Sequence, residues 1–152
     1  MEDVFCSEKI MQQVYYETDH MVVVYNKYPA VPGHSMVIPK RHVESPTELT
    51  AEEYVDMFRA LNKTLPVLLD MYATDKSYDL IMQVGNYSGM TIHHIHMHIT
   101  PRGKDDTYQV DTAQLYEEIK RRQMEGAGDM PLDVQEEVER LRKVFGYAPK
   151  SK

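Results

Sequence analysis

Apolar residues fall along the chain in two rhythms, and the rhythm changes where the elements do. Val14, Tyr15 and Tyr16 suggest a short strand, and Met21 to Tyr25 (MVVVY) is apolar throughout and β-branched in its middle, as in a strand buried on both faces. Asn26 to Gly33 (NKYPAVPG) reads as a turn, after which His34 to Pro39 resumes as a strand, so the two flanking runs are expected to pair antiparallel. Thr50 and Glu53 have the spacing of a capping box. From there Tyr54, Phe58, Leu61, Leu65, Leu68 and Leu69 recur as one apolar helical stripe, which Pro66 is expected to kink or divide into two shorter helices. Asp79 to Val84 predicts a further strand. GNYSG turns the chain into a last one, Gly89 to Arg102, in which Ile95, Met97 and Ile99 alternate with His94, His96 and His98. Leu115, Tyr116 and Ile119 mark a short helix, Glu125 to Pro131 a flexible loop, and Val134, Val138, Leu141 and Phe145 stripe a closing helix. Several strands with no room for crossover helices argue for an α+β fold with a mainly antiparallel sheet.

Composition narrows the setting. A chain of 152 residues is one ordinary domain, residues 1–152, large enough to need no disulfide or metal staple. No apolar run approaches the roughly 20 residues of a membrane span. The start, MEDVFCSEKI, lacks the basic and apolar regions of a signal peptide, and Cys6 has no second cysteine to pair with, so a cytoplasmic location with access to the nucleus is expected. With 24 acidic and 17 basic residues the net charge is −7, which argues against a broad footprint for duplex nucleic acid while allowing a local anion pocket.

The candidate chemistry lies in the histidine strand. On an extended backbone His94, His96 and His98 share one face about 7 Å apart, while Ile95, Met97 and Ile99 pack behind. A neutral imidazole can attack phosphorus and form a phosphoramidate that water later cleaves, and its flanking rings can hold phosphoryl oxygens or fix the attacking tautomer. The chemical rival is a metal site, since imidazoles on one face can bind zinc or copper. No carboxylate or cysteine at local ligand spacing accompanies the three, so no metal ligand set is expected. His20, His42 and His93 read as structural or exposed, and LYEEIKRR as a solvated helix face in which Tyr116 could meet a partner or a kinase.

HIHMHIT, residues 94–100, resembles the alternating signature of the histidine triad superfamily of nucleotide hydrolases and transferases, and VVVYNKYPAVPGHSMVIPKRHV resembles its paired strands and Pro-Gly-His turn. Gln83, the HITPR exit, LYEEI and the ERLRKVF helix are most similar to the fragile histidine triad branch, the dinucleoside triphosphate hydrolases. The resemblance implies a half-barrel of antiparallel strands with a long helix packed on it, C-terminal helices, and a homodimer. It further implies hydrolysis of dinucleoside polyphosphates, with diadenosine triphosphate giving AMP and ADP through a nucleotidyl intermediate on His96. His98 would hold a phosphoryl oxygen and His94 would orient the active ring, with His34 close by. Asn26 would bind the ribose, Gln83 would contact the phosphate chain, Thr91 would belong to the substrate-binding set, and Phe5, Ile10 and Tyr25 would wall the base. Met90 departs from the amide side chain common at that position, and Cys6 lacks the CxxC partner of the zinc-bearing branches. No tightly bound cofactor is implied, only a magnesium or manganese ion accompanying the polyphosphate. A nucleoside phosphoramidate hydrolase and a nucleotide-binding signalling module with slow turnover are the alternative functions.

Overall fold

The computed structural model describes residues 3–73, 75–125 and 128–150. Five strands, β1 (Val14–Glu17), β2 (Met21–Tyr25), β3 (Ser35–Pro39), β4 (Ser77–Ile81) and β5 (Met97–Arg102), form one antiparallel open sheet in the order β1-β2-β3-β5-β4. Three helices, α1 (Ala51–Tyr72), α2 (Thr112–Glu125) and α3 (Leu132–Phe145), and short 3-10 turns at Val4–Cys6, Glu8–Gln12 and Pro46–Glu48 complete the α+β fold. Among the described residues no helix is long and apolar enough to cross a membrane.

The sheet is covered on both faces, which explains why β2 and β3 are apolar without alternation. Met21, Val23, Tyr25, Val37, Met97 and Ile99 pack with α1 and α3, while Val22, Val24, Met36 and Ile38 form a second cluster with Phe5 and Ile10 from the N-terminal turns. A third cluster, Val31, Ile81, Leu115 and Ile119, seats α2. Because Met36 and Ile81 both pair in register with His98, the triad side of the sheet lies between the N-terminal turns and α2.

Thr50 caps α1 as the spacing predicts: its hydroxyl accepts from Glu53 N while Glu53 Oε1 accepts from Thr50 N. The expected division into two helices at Pro66 does not occur: α1 runs unbroken for 22 residues with Pro66 inside, its packing against the sheet outweighing one lost backbone bond. Its buried side is Met57, Ala60, Leu61, Thr64, Leu68 and Leu69, whereas Tyr54 and Phe58 face solvent at 42% and 58% exposure. The C-terminal helices form, with Leu115, Ile119, Val134, Val138 and Leu141 buried, whereas Tyr116 is exposed and Phe145 half-buried. Two residues of the predicted Glu125–Pro131 loop, 126 and 127, lie outside the described residues.

Candidate active site

The triad strand is shorter than its pattern suggests. β5 begins only at Met97, so His98 stands on a paired strand while His94 and His96 occupy the irregular approach to it, tied by a bond from Ile95 N to Val43 O. Leaving the ladder lets the rings converge. The centroids of His96 and His98 are 4.9 Å apart, not the ~7 Å of a regular strand. All three are buried, at 0%, 5% and 1% exposure for His94, His96 and His98.

A chain of directed hydrogen bonds assigns the tautomers. Gly33, at φ +86°, allows the turn that delivers His34, and a Cβ there would sit 2.6 Å from the Tyr72 ring. Ala30 N–H donates to His34 Nδ1 at 3.1 Å, so the hydrogen of neutral His34 is on Nε2. That nitrogen is 2.8 Å from His98 Nδ1, which therefore accepts and leaves the hydrogen of neutral His98 on Nε2. Protonating either ring would break this order. Burial pushes the His34 pKa down to about 3, with the nearby His96 and Arg122 adding, and burial likewise holds His98 well below the ordinary histidine value, with His34 and His96 adding.

His96 is set the opposite way. Its Nδ1 lies 2.9 Å from the His94 carbonyl oxygen, which can only accept, so Nδ1 carries the hydrogen and Nε2 the exposed lone pair. Burial lowers its pKa, opposed by that backbone bond and helped by the His94 charge, so the ring is neutral at pH 7. His94 thus positions His96 through its main chain. Its own ring turns away, with Nε2 2.7 Å from Pro39 O and Nδ1 2.8 Å from Asp3 Oδ2.

The remaining predicted residues divide. Gln83 lies two residues beyond β4 and packs over Gly89, whose added Cβ would come within 3.0 Å of the Gln83 amide. Met90 is buried in the core, its sulfur accepting from Gly85 N, so position 90 sends no side-chain amide toward the triad. Asn26 is 5% exposed, accepts from Tyr28 N at 2.9 Å and places its amide nitrogen 3.4 Å from His34 Nε2. Thr91 donates to Gln123 Oε1 at 3.1 Å, and the same glutamine reaches His98 Nε2 at 3.4 Å. Gln123, on α2, was not foreseen: its only sequence signal is a polar residue on an amphipathic helix. Arg122 beside it donates to Pro29 O, fastening α2 to the turn that carries His34.

Phe5 and Ile10 line a cleft of about 730 Å³ with Met11, Val22 and Lys40, and the Phe5 ring meets His96 edge-on at 5.0 Å. Tyr25 does not belong to that wall. In strand β2 it shares the α1 side with Met21 and Val23, and its hydroxyl accepts from Gly33 N at 2.9 Å. No carboxylate or cysteine lies at local ligand spacing from the triad, but the fold brings one of each against it from the N-terminal turn, 91 and 88 residues away in sequence. Asp3, Cys6, His42 and His94 bring four donor atoms within 4.8 Å of one another. His20 and His93 take no part, and His93 is exposed.

A protein-family model described as the HIT domain matches residues 7–105. A bis(5'-nucleosyl)-tetraphosphatase (asymmetrical) of Schizosaccharomyces pombe is 32% identical over 117 residues, 77% of this chain and 63% of the relative, so the chain spans a little under two thirds of that protein. A bis(5'-adenosyl)-triphosphatase of Dictyostelium discoideum is 32% identical over 109 residues, 72% of this chain and 71% of the relative. Among solved structures, the diadenosine triphosphate hydrolase of Plasmodium falciparum superposes with a TM-score of 0.67 at 19% identity, covering 89% of this chain and 77% of that one, a likeness of fold.

Proposed function

Because the chain belongs to the histidine triad (HIT domain) family, we propose that it is a hydrolase of dinucleoside polyphosphates, acting on diadenosine triphosphate with His96 as nucleophile. The observation that carries the reading is the tautomer of His96. A buried, neutral ring with its hydrogen committed to the His94 carbonyl presents Nε2 as a lone pair, which is what attack on phosphorus requires.

In the first step His96 Nε2 bonds to the α-phosphorus of one adenylate, the bridging P–O bond breaks with its electron pair, and ADP leaves. In the second, water attacks the same phosphorus and releases a proton to solvent, the P–N bond breaks, AMP departs and Nε2 regains its lone pair. The phosphorus oxygens gain charge in both transition states, and His98 Nε2–H, held in place by His34, is the donor aimed at them. Gln123 and Thr91 flank that position. The Phe5 and Ile10 cleft, apolar and next to His96, suits a base. Homodimerisation is part of the same reading, supported by exposed Tyr54 and Phe58 on α1 and by exposed Tyr78 and Leu80 on the edge strand β4.

The experiment compares kcat/KM for diadenosine triphosphate and for adenosine phosphoramidate on the purified chain. A larger value for the dinucleotide, with AMP and ADP as products, is expected. A larger value for the phosphoramidate would transfer the reading to that hydrolase class, and tight nucleotide binding with no turnover of either would leave a binding module.

A further inference from the structure

The turn that delivers His34 ends on Gly33, and glycine has no intrinsic preference that would keep the peptide planes on either side of it in place. His34 follows directly, and its Nε2 must meet His98 Nδ1 at 2.8 Å for the relay to keep its order. Ala30 N–H holds the ring at Nδ1, but it belongs to the same turn and moves with it. The frame that fixes both planes comes from outside the turn.

That frame is built from three adjacent strands. Tyr15 on β1, Tyr25 on β2 and Ser35 on β3 are 0%, 3% and 0% exposed, and Tyr25 and Ser35 pair in register. Gly33 N–H donates to the Tyr25 hydroxyl at 2.9 Å, which holds the plane before Gly33. On the plane after it the carbonyl oxygen can only accept, so Ser35 Oγ, 2.9 Å away, donates its single hydrogen there. Ser35 Oγ is left as an acceptor, and the Tyr15 hydroxyl at 2.9 Å must be the donor that meets it. Burial raises both phenol pKa values, that of Tyr25 to about 12, so neither hydroxyl loses its hydrogen where the histidines titrate. A core tyrosine needs only some partner for its oxygen. Here both oxygens, one of them through Ser35, end on the two peptide groups of the residue that precedes His34.

We propose that Tyr25, Ser35 and Tyr15 are positioning residues: by pinning both peptide planes of Gly33 they hold His34 where its Nε2–H fixes the tautomer and aim of His98. The consequence for catalysis rests on the function proposed above, in which His98 donates to the phosphoryl group, whereas the consequence for the rings rests on the His34–His98 bond alone. A preorganised donor must be held within about 0.5 Å of its productive place, and rotation of either plane is amplified along the His34 side chain before it reaches Nε2.

The test uses Tyr25→Phe and Ser35→Ala, each of which deletes one link with little change in packing, and Tyr15→Phe, one link further from Gly33. Leu61→Ala is the control, since it takes stability from the same core cluster and carries no polar group. Ring-nitrogen NMR of the histidines is recorded beside kcat and KM for diadenosine triphosphate. In the wild type His34 and His98 should both show a protonated Nε2 and a bare Nδ1. Tyr25→Phe and Ser35→Ala should shift those signals and lower kcat by about 10- to 10²-fold, the latter being the cost of a misplacement of about 1 Å, with KM within about twofold because a transition-state contact is lost. Tyr15→Phe should do the same in smaller measure. Leu61→Ala should lower Tm and leave the ring signals and kcat in place. Wild-type ring signals in Tyr25→Phe and Ser35→Ala, or shifted signals with wild-type kcat, would overturn the proposal and leave the hydroxyls as satisfied core groups. If the wild type hydrolyses no dinucleotide, the assigned function fails and the ring signals decide the clamp by themselves: shifted in both variants they sustain it, unchanged they sink it.

Discussion

Replacing His98 by leucine and by glutamine separates the two things the His34–His98 bond does. His98 is 1% exposed, accepts from His34 Nε2 at 2.8 Å and, in the proposed reaction, would offer its own Nε2–H to the phosphoryl group. Leucine fills the space but removes both functions. The transition state loses one preorganised donor, about 2.7–4 kcal/mol or 10²–10³ in kcat. In the resting protein, His34 Nε2–H is left buried without that acceptor, about 1–3 kcal/mol, or a fall in Tm of roughly 2–12 °C for a domain of this size. Glutamine preserves the polarity of the relay, its Oε1 accepting from His34 and its Nε2 donating onward. We expect His98→Gln to stay within about tenfold of the wild-type kcat, the worth of one neutral hydrogen bond, with Tm nearly unchanged. The assay is AMP release from diadenosine triphosphate beside a thermal melt of each variant. A leucine variant within tenfold of wild type in kcat and equal to it in Tm would refute the relay.

Acid should destabilise the fold from near pH 6.5 downward. His34, His96 and His98 have lowered folded-state values, so in that window the unfolded chain binds more protons and stability rises with pH, each ring contributing up to about 1.4 kcal/mol per pH unit. Urea midpoints between pH 4 and 8 check the slope, and a midpoint independent of pH below 6.5 would contradict the burial of neutral rings. For the same reason the kcat/KM profile should show no half-loss at the ordinary histidine value, its acid limb lying lower. Gln123→Ala removes the contacts to Thr91 and His98 and should raise KM for the dinucleotide about 2–12-fold, one hydrogen bond's worth, with Tm little changed because α2 is seated by Leu115 and Ile119. Gly33→Ala forces a side chain into the left-handed region and onto the Tyr72 ring, and should lower stability by at least about 1–3 kcal/mol in urea unfolding.

Local patterns carried most of the architecture. The β2–β3 pair, the capping box of α1 and the amphipathic α2 and α3 all depend on residues within a few positions of one another, and the structure bears them out. The histidines were equally legible, and His34 could be placed beside them because the Pro-Gly-His turn resembles a known motif. Tyr25 was assigned to the wrong face because an apolar run with no alternation hides its parity, although Val22 and Val24 on the opposite side reveal it once the sheet is built. Tyr54 and Phe58 belong to the apolar stripe of α1 yet face solvent, because a stripe does not say which of its members overhangs the sheet. The Asp3–Cys6–His42–His94 cluster escaped for a topological reason: its donors are brought together over separations of 39 and 91 residues from Asp3. Gln123 reaches His98 from a separate helix 25 residues on, by a side chain no spacing rule selects.

The central claim is that His96 Nε2 is the nucleophile. Its most direct test mixes the protein with diadenosine triphosphate, quenches within milliseconds at alkaline pH, where a phosphoramidate survives better than in acid, and weighs the intact chain. The account predicts an added adenylate mass in the wild type and none in His96→Ala. An adduct that persists in His96→Ala, or AMP released at wild-type rate by that variant, would contradict it.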